Sequence, residues 1–174
     1  LIAALYLLEF KRADICGVVL SSPALAMADN LKPGMLKRLF LTAASIILPA
    51  LTVNNRIDPY LLSRDKAVVE KYISDPLVFK TITPRLFTEI EKMQKRLFEK
   101  AAGFITPCFI ISGKDDKIIS LESLLRFHDG IASKDKSIKI YEGFYHEALN
   151  EPQNDTPFMD LRQWVLNRGG QKNA

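Results

Sequence analysis

The feature that most constrains the fold is a nearly continuous run of apolar and β-branched residues at positions 15–22, which ends at Pro23. Such a run is typical of a strand that is covered on both faces, as in a parallel sheet. Further strand-like runs at positions 107–112 and 137–141 are each followed closely by a glycine. The helical segment between them, with Ser120 as its N-cap, makes a βαβ unit. The sequence therefore predicts an α/β fold with three parallel strands.

The stretch between the first two of these strands has a different pattern. Residues 24–103 hold five prolines and no strand-like run, so they are expected to form short helical pieces. A connection of this length is far longer than an ordinary crossover between parallel strands. We therefore interpret residues 27–103 as a helical cap that is inserted into a core made of residues 1–26 and 104–174.

Composition and charge exclude several classes of function. The 174 residues are 48% hydrophobic and 25% charged, as in a soluble globular domain. The net charge of +4 comes from scattered basic residues rather than from a basic stripe with interleaved aromatics, so a nucleic-acid partner is not expected. The two cysteines and two histidines form no C-x-x-C pair and no Cys/His cluster, so a structural zinc site is not expected, and no other metal or cofactor is indicated.

No stretch of the sequence predicts a transmembrane helix. The longest uncharged window, residues 39–55, is shorter than the roughly 20 residues that span a bilayer, and it contains Pro49. Cys16 and Cys108 lie in or beside apolar runs and indicate no disulfide framework. We therefore expect a protein of the cytoplasm or of the membrane periphery.

Two residues that can carry chemistry follow successive predicted strands. Asp116 comes after the strand at 107–112, and His146 comes after the strand at 137–141. Catalytic groups gather at the carboxyl ends of parallel strands, and an acid followed by a histidine is the end of the serine, acid, histidine order of α/β-hydrolases. His128, in contrast, lies on the apolar face of a predicted helix and is expected to be structural.

Five collinear stretches, which span nearly the whole chain, carry a more specific resemblance. They are GVVLSSPAL (17–25), LSRD (62–65), DPL (75–77), GKDD (113–116) and YEGFYHE (141–147). On these residues the chain resembles the serine hydrolases of the α/β-hydrolase fold that include monoacylglycerol lipases and bacterial lysophospholipases. The resemblance implies that Asp116, rather than Asp115, is the catalytic acid and that His146 is the base. It also implies a small lipid ester as substrate.

The nucleophile of such enzymes has no counterpart in this sequence. They carry their serine in a G-x-S-x-G turn directly before the helix that precedes the GVVLSSPAL strand. That helix corresponds to residues 1–10, and no serine of the chain stands between glycines at this spacing. The resemblance therefore implies that the chain is the C-terminal portion of an enzyme and holds the last three strands of its sheet. The serine would lie upstream, in a missing N-terminal segment that is the partner of this chain, and the chain alone would be inactive.

The absent serine leaves a second hypothesis open. The chain would then be a degenerate hydrolase or a fragment that acts as a non-catalytic interaction module. An unpaired edge on the first parallel strand would favour association with a partner.

The cap contains a segment, residues 35–48, that is expected to form a helix with a broad apolar face. One interpretation is an ordinary amphipathic helix that packs on the sheet. The other rests on the resemblance and is a lid over an acyl-chain pocket. Four of its side chains would then bind substrate: Met35, Leu39, Phe40 and Ile46. Because Lys37 and Arg38 flank this face, a transient contact with a membrane surface is also expected.

Overall fold

The computed structural model describes residues 1–55 and 57–169. Within them, three strands form a parallel sheet and two shorter strands pair elsewhere. The strands are β1 (Val18–Ser21), β2 (Val53–Asn54), β3 (Thr81–Ile82), β4 (Cys108–Gly113) and β5 (Lys136–Tyr141). The α-helices are α1 (Ile2–Phe10), α2 (Met35–Ile47), α3 (Lys66–Ser74), α4 (Pro84–Lys100), α5 (Leu121–Gly130) and α6 (Asp155–Gly169). In this part of the chain, no helix combines the length and the apolar character needed to cross a membrane.

The parallel sheet has the order β1, β4, β5, with β4 in the centre. In its register, Cys108 is paired with Val18 on one side and with Lys136 on the other. All six residues of β4 are buried, which agrees with its apolar sequence, since a central parallel strand is covered on both faces. Helix α5 connects β4 to β5. The predicted α/β class, the three parallel strands and the βαβ unit are therefore confirmed.

Side-chain caps explain where several helices begin. The hydroxyl of Ser120 accepts a hydrogen bond from the amide of Ser123 at 3.2 Å and starts α5. In the same way, Asp65 caps α3, and Thr83 caps α4 next to Pro84, whose fixed φ suits the first turn. These caps are visible in the sequence as short polar residues directly before each helix.

The core consists of two apolar clusters, one on each face of the sheet. Because side chains alternate along a strand, β4 sends Ile110 to one cluster and Phe109 and Ile111 to the other. The larger cluster also contains residues of α1, α4 and α5: Leu5, Leu8, Leu97, Leu124 and Phe127. The smaller cluster packs against Trp164 of α6, whose ring stacks on Phe109 at 5.9 Å between centroids.

The inserted segment contains strands that the sequence analysis did not predict. Strands β2 and β3 pair antiparallel, with Val53 opposite Ile82 and Asn54 opposite Thr81. The expectation of a strand-free insertion was therefore wrong. Each of these strands has two residues, and two residues are too few to show the alternation by which a strand is recognised. The division into a core and a cap at 27–103 stays an interpretation, because α4 lies within the cap range and contributes Leu97 to the larger cluster.

Candidate active site

The structure brings Asp116 and His146 together at the carboxyl edge of the parallel sheet. Asp116 lies in the loop after β4, and His146 lies in the loop after β5. The Nδ1 atom of His146 is 2.8 Å from the Oδ2 atom of Asp116. The carboxyl group of Asp116 is 1% exposed, whereas the imidazole is 21% exposed. The pair is thus a buried acid in contact with a histidine that solvent or a ligand can reach.

The loop after β4 holds the carboxylate of Asp116 in one orientation. Its Oδ1 atom accepts hydrogen bonds from the amides of Ile118 at 2.8 Å and Ile119 at 3.0 Å. The second oxygen is left to face the imidazole. Because buried polar atoms are costly unless they are hydrogen-bonded, these two amides stabilise the buried carboxyl group of Asp116 in this orientation.

The backbone at His146 is tied to two other parts of the chain. Its carbonyl accepts a hydrogen bond of 2.5 Å from the hydroxyl of Ser22. The next amide, that of Glu147, donates to the carbonyl of Leu62 in the inserted segment at 2.8 Å. Ser22 directly follows β1 and has φ of +38°, a left-handed conformation that is uncommon outside glycine. Sequence analysis did not single out Ser22, although its position after a buried strand placed it at this edge of the sheet.

This arrangement suits acid–base chemistry. In the tautomer that carries its proton on Nδ1, the imidazole donates a hydrogen bond to the carboxylate of Asp116. The Nε2 atom is then the basic nitrogen, and it can take a proton from a hydroxyl group and return it. A carboxylate in this position stabilises an imidazolium ring.

His146 also lies on the wall of a cavity of about 520 Å³. This volume lies within the range of small-molecule sites in proteins. The wall is mostly apolar, and its apolar side chains include Leu31, Leu41, Ile57, Ile82, Phe87, Ile90, Ile118 and Ile119. Its polar side chains include Asn30, Lys32, Lys37, Asn55, Glu91 and Gln94. A more open groove of about 570 Å³ between α1 and α4 contains neither Asp116 nor His146.

Helix α2 does not direct its expected substrate-binding side chains toward the cavity. The four side chains expected to bind substrate point to the outside, with exposures of 84% for Met35, 67% for Leu39, 59% for Phe40 and 74% for Ile46. None of them lines the cavity. The buried side of α2, which packs against α4, is formed by Leu41, Ala44 and Ser45. From α2, Lys37 and Leu41 reach the cavity wall.

His128 is not part of the site. It lies on α5 with 20% of its side chain exposed, and its Nδ1 atom is 3.1 Å from the carboxylate of Asp129. Its role as a structural residue stays a prediction. It is a useful reference for His146, because both rings are similarly exposed and both contact an aspartate.

Parallel strands that place an acid after one and a histidine after the next, beside a largely helical insertion, define the class of α/β-hydrolases. The family model for serine aminopeptidase, S33, matches residues 1–153. The chain belongs to this family of hydrolases.

Several relatives have names that refer to lipids. Phospholipase YtpA of Bacillus subtilis is 26% identical over 166 residues, which are 95% of this chain and 63% of that protein. The monoacylglycerol lipase of Mycolicibacterium smegmatis is 29% identical over 158 residues, 88% of this chain and 54% of that protein. The crystal structure of Paleococcus ferrophilus monoacylglycerol lipase matches this chain with a TM-score of 0.86 and 30% sequence identity. The match covers 95% of this chain and 64% of that one. The chain therefore spans somewhat more than half of the length of these relatives.

Proposed function

We propose that Asp116 and His146 are the acid and the base of a serine-dependent carboxylic-ester hydrolase that acts on monoacylglycerols or lysophospholipids. The nucleophilic serine belongs to a segment upstream of this chain. The observation that carries the proposal is the 2.8 Å contact between a buried carboxylate and an imidazole on the wall of an apolar cavity.

In the proposed reaction, the serine hydroxyl attacks the acyl carbonyl while Nε2 of His146 takes its proton. The imidazolium then gives this proton to the alkoxide oxygen of the leaving alcohol, and an acyl-enzyme remains. Water attacks the acyl-enzyme with His146 again as base, which releases the fatty acid and restores the serine. Asp116 accepts the Nδ1 hydrogen bond throughout and stabilises the cationic ring.

The lining of the cavity is an argument for a substrate with one acyl chain and a small polar head. Its apolar wall offers a surface for an aliphatic chain, and its few amide and charged side chains can bind a glycerol or a headgroup. The relative from Mycolicibacterium smegmatis is named a monoacylglycerol lipase and that from Bacillus subtilis a phospholipase, so both names refer to lipid esters.

The test uses the protein as it is isolated from its natural source. Its intact mass is measured before and after treatment with a fluorophosphonate, which modifies activated serines. A species well above 19.6 kDa that gains one adduct is expected. A species of 19.6 kDa that gains none would support the non-catalytic alternative.

The roles of the two site residues are tested by substitution. Asp116→Asn keeps an acceptor for the amides of Ile118 and Ile119 but removes the charge that orients the ring, so kcat should fall by about 10⁴. His146→Gln should reduce hydrolysis at least as strongly, whereas the matched control His128→Gln should retain it. Equal activity in all three variants would contradict the proposal. Faster hydrolysis of acetyl esters or of amides than of long-chain monoacylglycerols would contradict the substrate class alone.

A further inference from the structure

The loop that carries His146 is bordered by a second buried carboxylate, which the proposed reaction does not use. The side chain of Glu151 is 0% exposed. Its Oε1 atom accepts a hydrogen bond of 2.7 Å from the amide of Tyr145, the residue directly before His146. Its Oε2 atom accepts a hydrogen bond of 2.8 Å from Nε of Arg64. A buried carboxylate is costly unless it is paired, so both partners are needed to keep Glu151 in place.

Arg64 belongs to the inserted segment and contacts the loop on both sides of His146. Its guanidinium carbon lies 5.3 Å from the ring centroid of Phe144, which precedes His146. Its Nη2 atom donates a hydrogen bond of 2.6 Å to Oε1 of Gln153, which follows. With Glu151, it therefore joins the two ends of the loop.

Neighbouring residues of the insertion add further contacts. The buried hydroxyl of Ser63 donates to the carbonyl of Asn150 at 2.8 Å. The amide of Glu147 donates to the carbonyl of Leu62 at 2.8 Å. Residues 62–64 thus contact the loop at several successive points, and the ion pair is the charged part of this connection.

We propose that the ion pair of Arg64 and Glu151 is a positioning element for the base. It holds the backbone at Tyr145 so that the Nδ1 atom of His146 faces the Oδ2 atom of Asp116. Apolar side chains of similar size could fill the same space, but they offer no acceptor to the amide of Tyr145. The inference rests on the proposed function in taking His146 as the base, yet the geometry it concerns can be measured without any substrate.

The measurement is the NMR signal of the Nδ1 proton of His146 in the 174-residue chain. The chain has two histidines, so His146→Gln assigns the signal, and His128 is the internal reference. The test variant is Arg64→Met/Glu151→Leu, which removes both charges and keeps apolar volume. The matched control is Arg96→Met/Glu9→Leu, which removes the 2.6 Å ion pair between α4 and α1.

The expected result is that the Nδ1 proton signal is lost or exchanges much faster with water in the test variant, while the control keeps it. Both variants should unfold cooperatively in urea. An unchanged signal in the folded test variant would overturn the proposal, and so would the absence of the signal from the unaltered chain. If the test variant does not fold, Glu151→Gln replaces it. That variant lacks the second acceptor oxygen, and unchanged proton exchange in it would equally overturn the proposal.

A kinetic measurement in the longer protein separates positioning from stability. The test variant should lower kcat by about 10²-fold with KM nearly unchanged, since a small misplacement of a catalytic group has effects of this size. If the unaltered enzyme hydrolyses no ester, the proposed function fails, and the NMR experiment still decides whether the ion pair positions His146.

Discussion

Gly113, the last residue of β4, lies against the backbone of the loop that carries His146. A Cβ atom at this position would fall within 3.0 Å of the carbonyl oxygens of both Phe144 and Tyr145. These are backbone atoms and cannot rotate away as a flexible side chain could. Gly113→Ala therefore forces the loop to move away from β4.

The cost of this substitution can be worked out from the contacts. Overpacking of a well-packed site costs about 1–3 kcal/mol. The displaced loop also gives up the hydrogen bond of 3.0 Å from the amide of Asp115 to the carbonyl of Phe144, which adds about 1 kcal/mol. We expect the free energy of unfolding to fall by about 2–4 kcal/mol.

Gly130 provides a matched control in the same chain. It is the last residue of α5, and a Cβ atom there would meet the Cβ atom of Ala101 at 3.8 Å, which is an ordinary contact. Gly130→Ala should leave stability unchanged or raise it by up to about 1 kcal/mol, since it reduces the entropy of the unfolded chain. Both variants are measured by urea unfolding. Equal stabilities, with the same dependence on urea, would refute the reasoning about the loop.

Three further predictions concern the core and the sheet. Burial raises the pKa of the Cys108 thiol to about 12, so only the exposed Cys16 should react with a disulfide reagent at pH 8, and both should react in denaturant. Reaction of two thiols in the folded protein would contradict this. Phe127→Ala removes a 0% exposed ring and should cost about 3–5 kcal/mol in urea unfolding; a loss below 1 kcal/mol would be inconsistent with its packing. Tyr141→Phe removes the 2.7 Å hydrogen bond to Asp160 and should cost about 1 kcal/mol at neutral pH. Burial and then this hydrogen bond raise the pKa of Tyr141, so the folded state favours the neutral form of its side chain. The unaltered protein should therefore lose its advantage in unfolding free energy over Tyr141→Phe as the pH rises above 10.0. An advantage that grows above this pH would contradict the reasoning.

The sheet and the acid–histidine pair could be predicted because both depend on local sequence signals. A continuous apolar run identifies β4, and polar residues just after such runs must lie at one edge of a parallel sheet. That rule placed Asp116 and His146 together, although thirty positions separate them.

The orientation of α2 and the burial of Glu151 could not be found in this way. A helix with many apolar residues has more than one face that could pack, and the contact with α4 selects Leu41 and Ala44 rather than Phe40. Glu151 depends on Arg64, which is 87 positions away and belongs to another segment. A charged residue in a sequence is assumed to be exposed until its partner is known.

Helix α4 has a consequence for how this protein can diversify. Two neighbouring parallel strands such as β1 and β4 require a connection that returns to the end of the sheet where the strands begin. Helix α4 is the last α-helix before β4, and it contributes Leu97 to the core. The preceding part of the insertion, up to β3, is not needed for that return, yet it supplies Leu31, Leu41 and Ile57 to the cavity wall. The connection that builds the sheet and most of the cavity wall are therefore consecutive but separate stretches of sequence. Substitutions at Leu31, Leu41 or Ile57 would therefore change the cavity wall while the order β1, β4, β5 and the contacts of residues 62–64 with the loop of His146 stay the same.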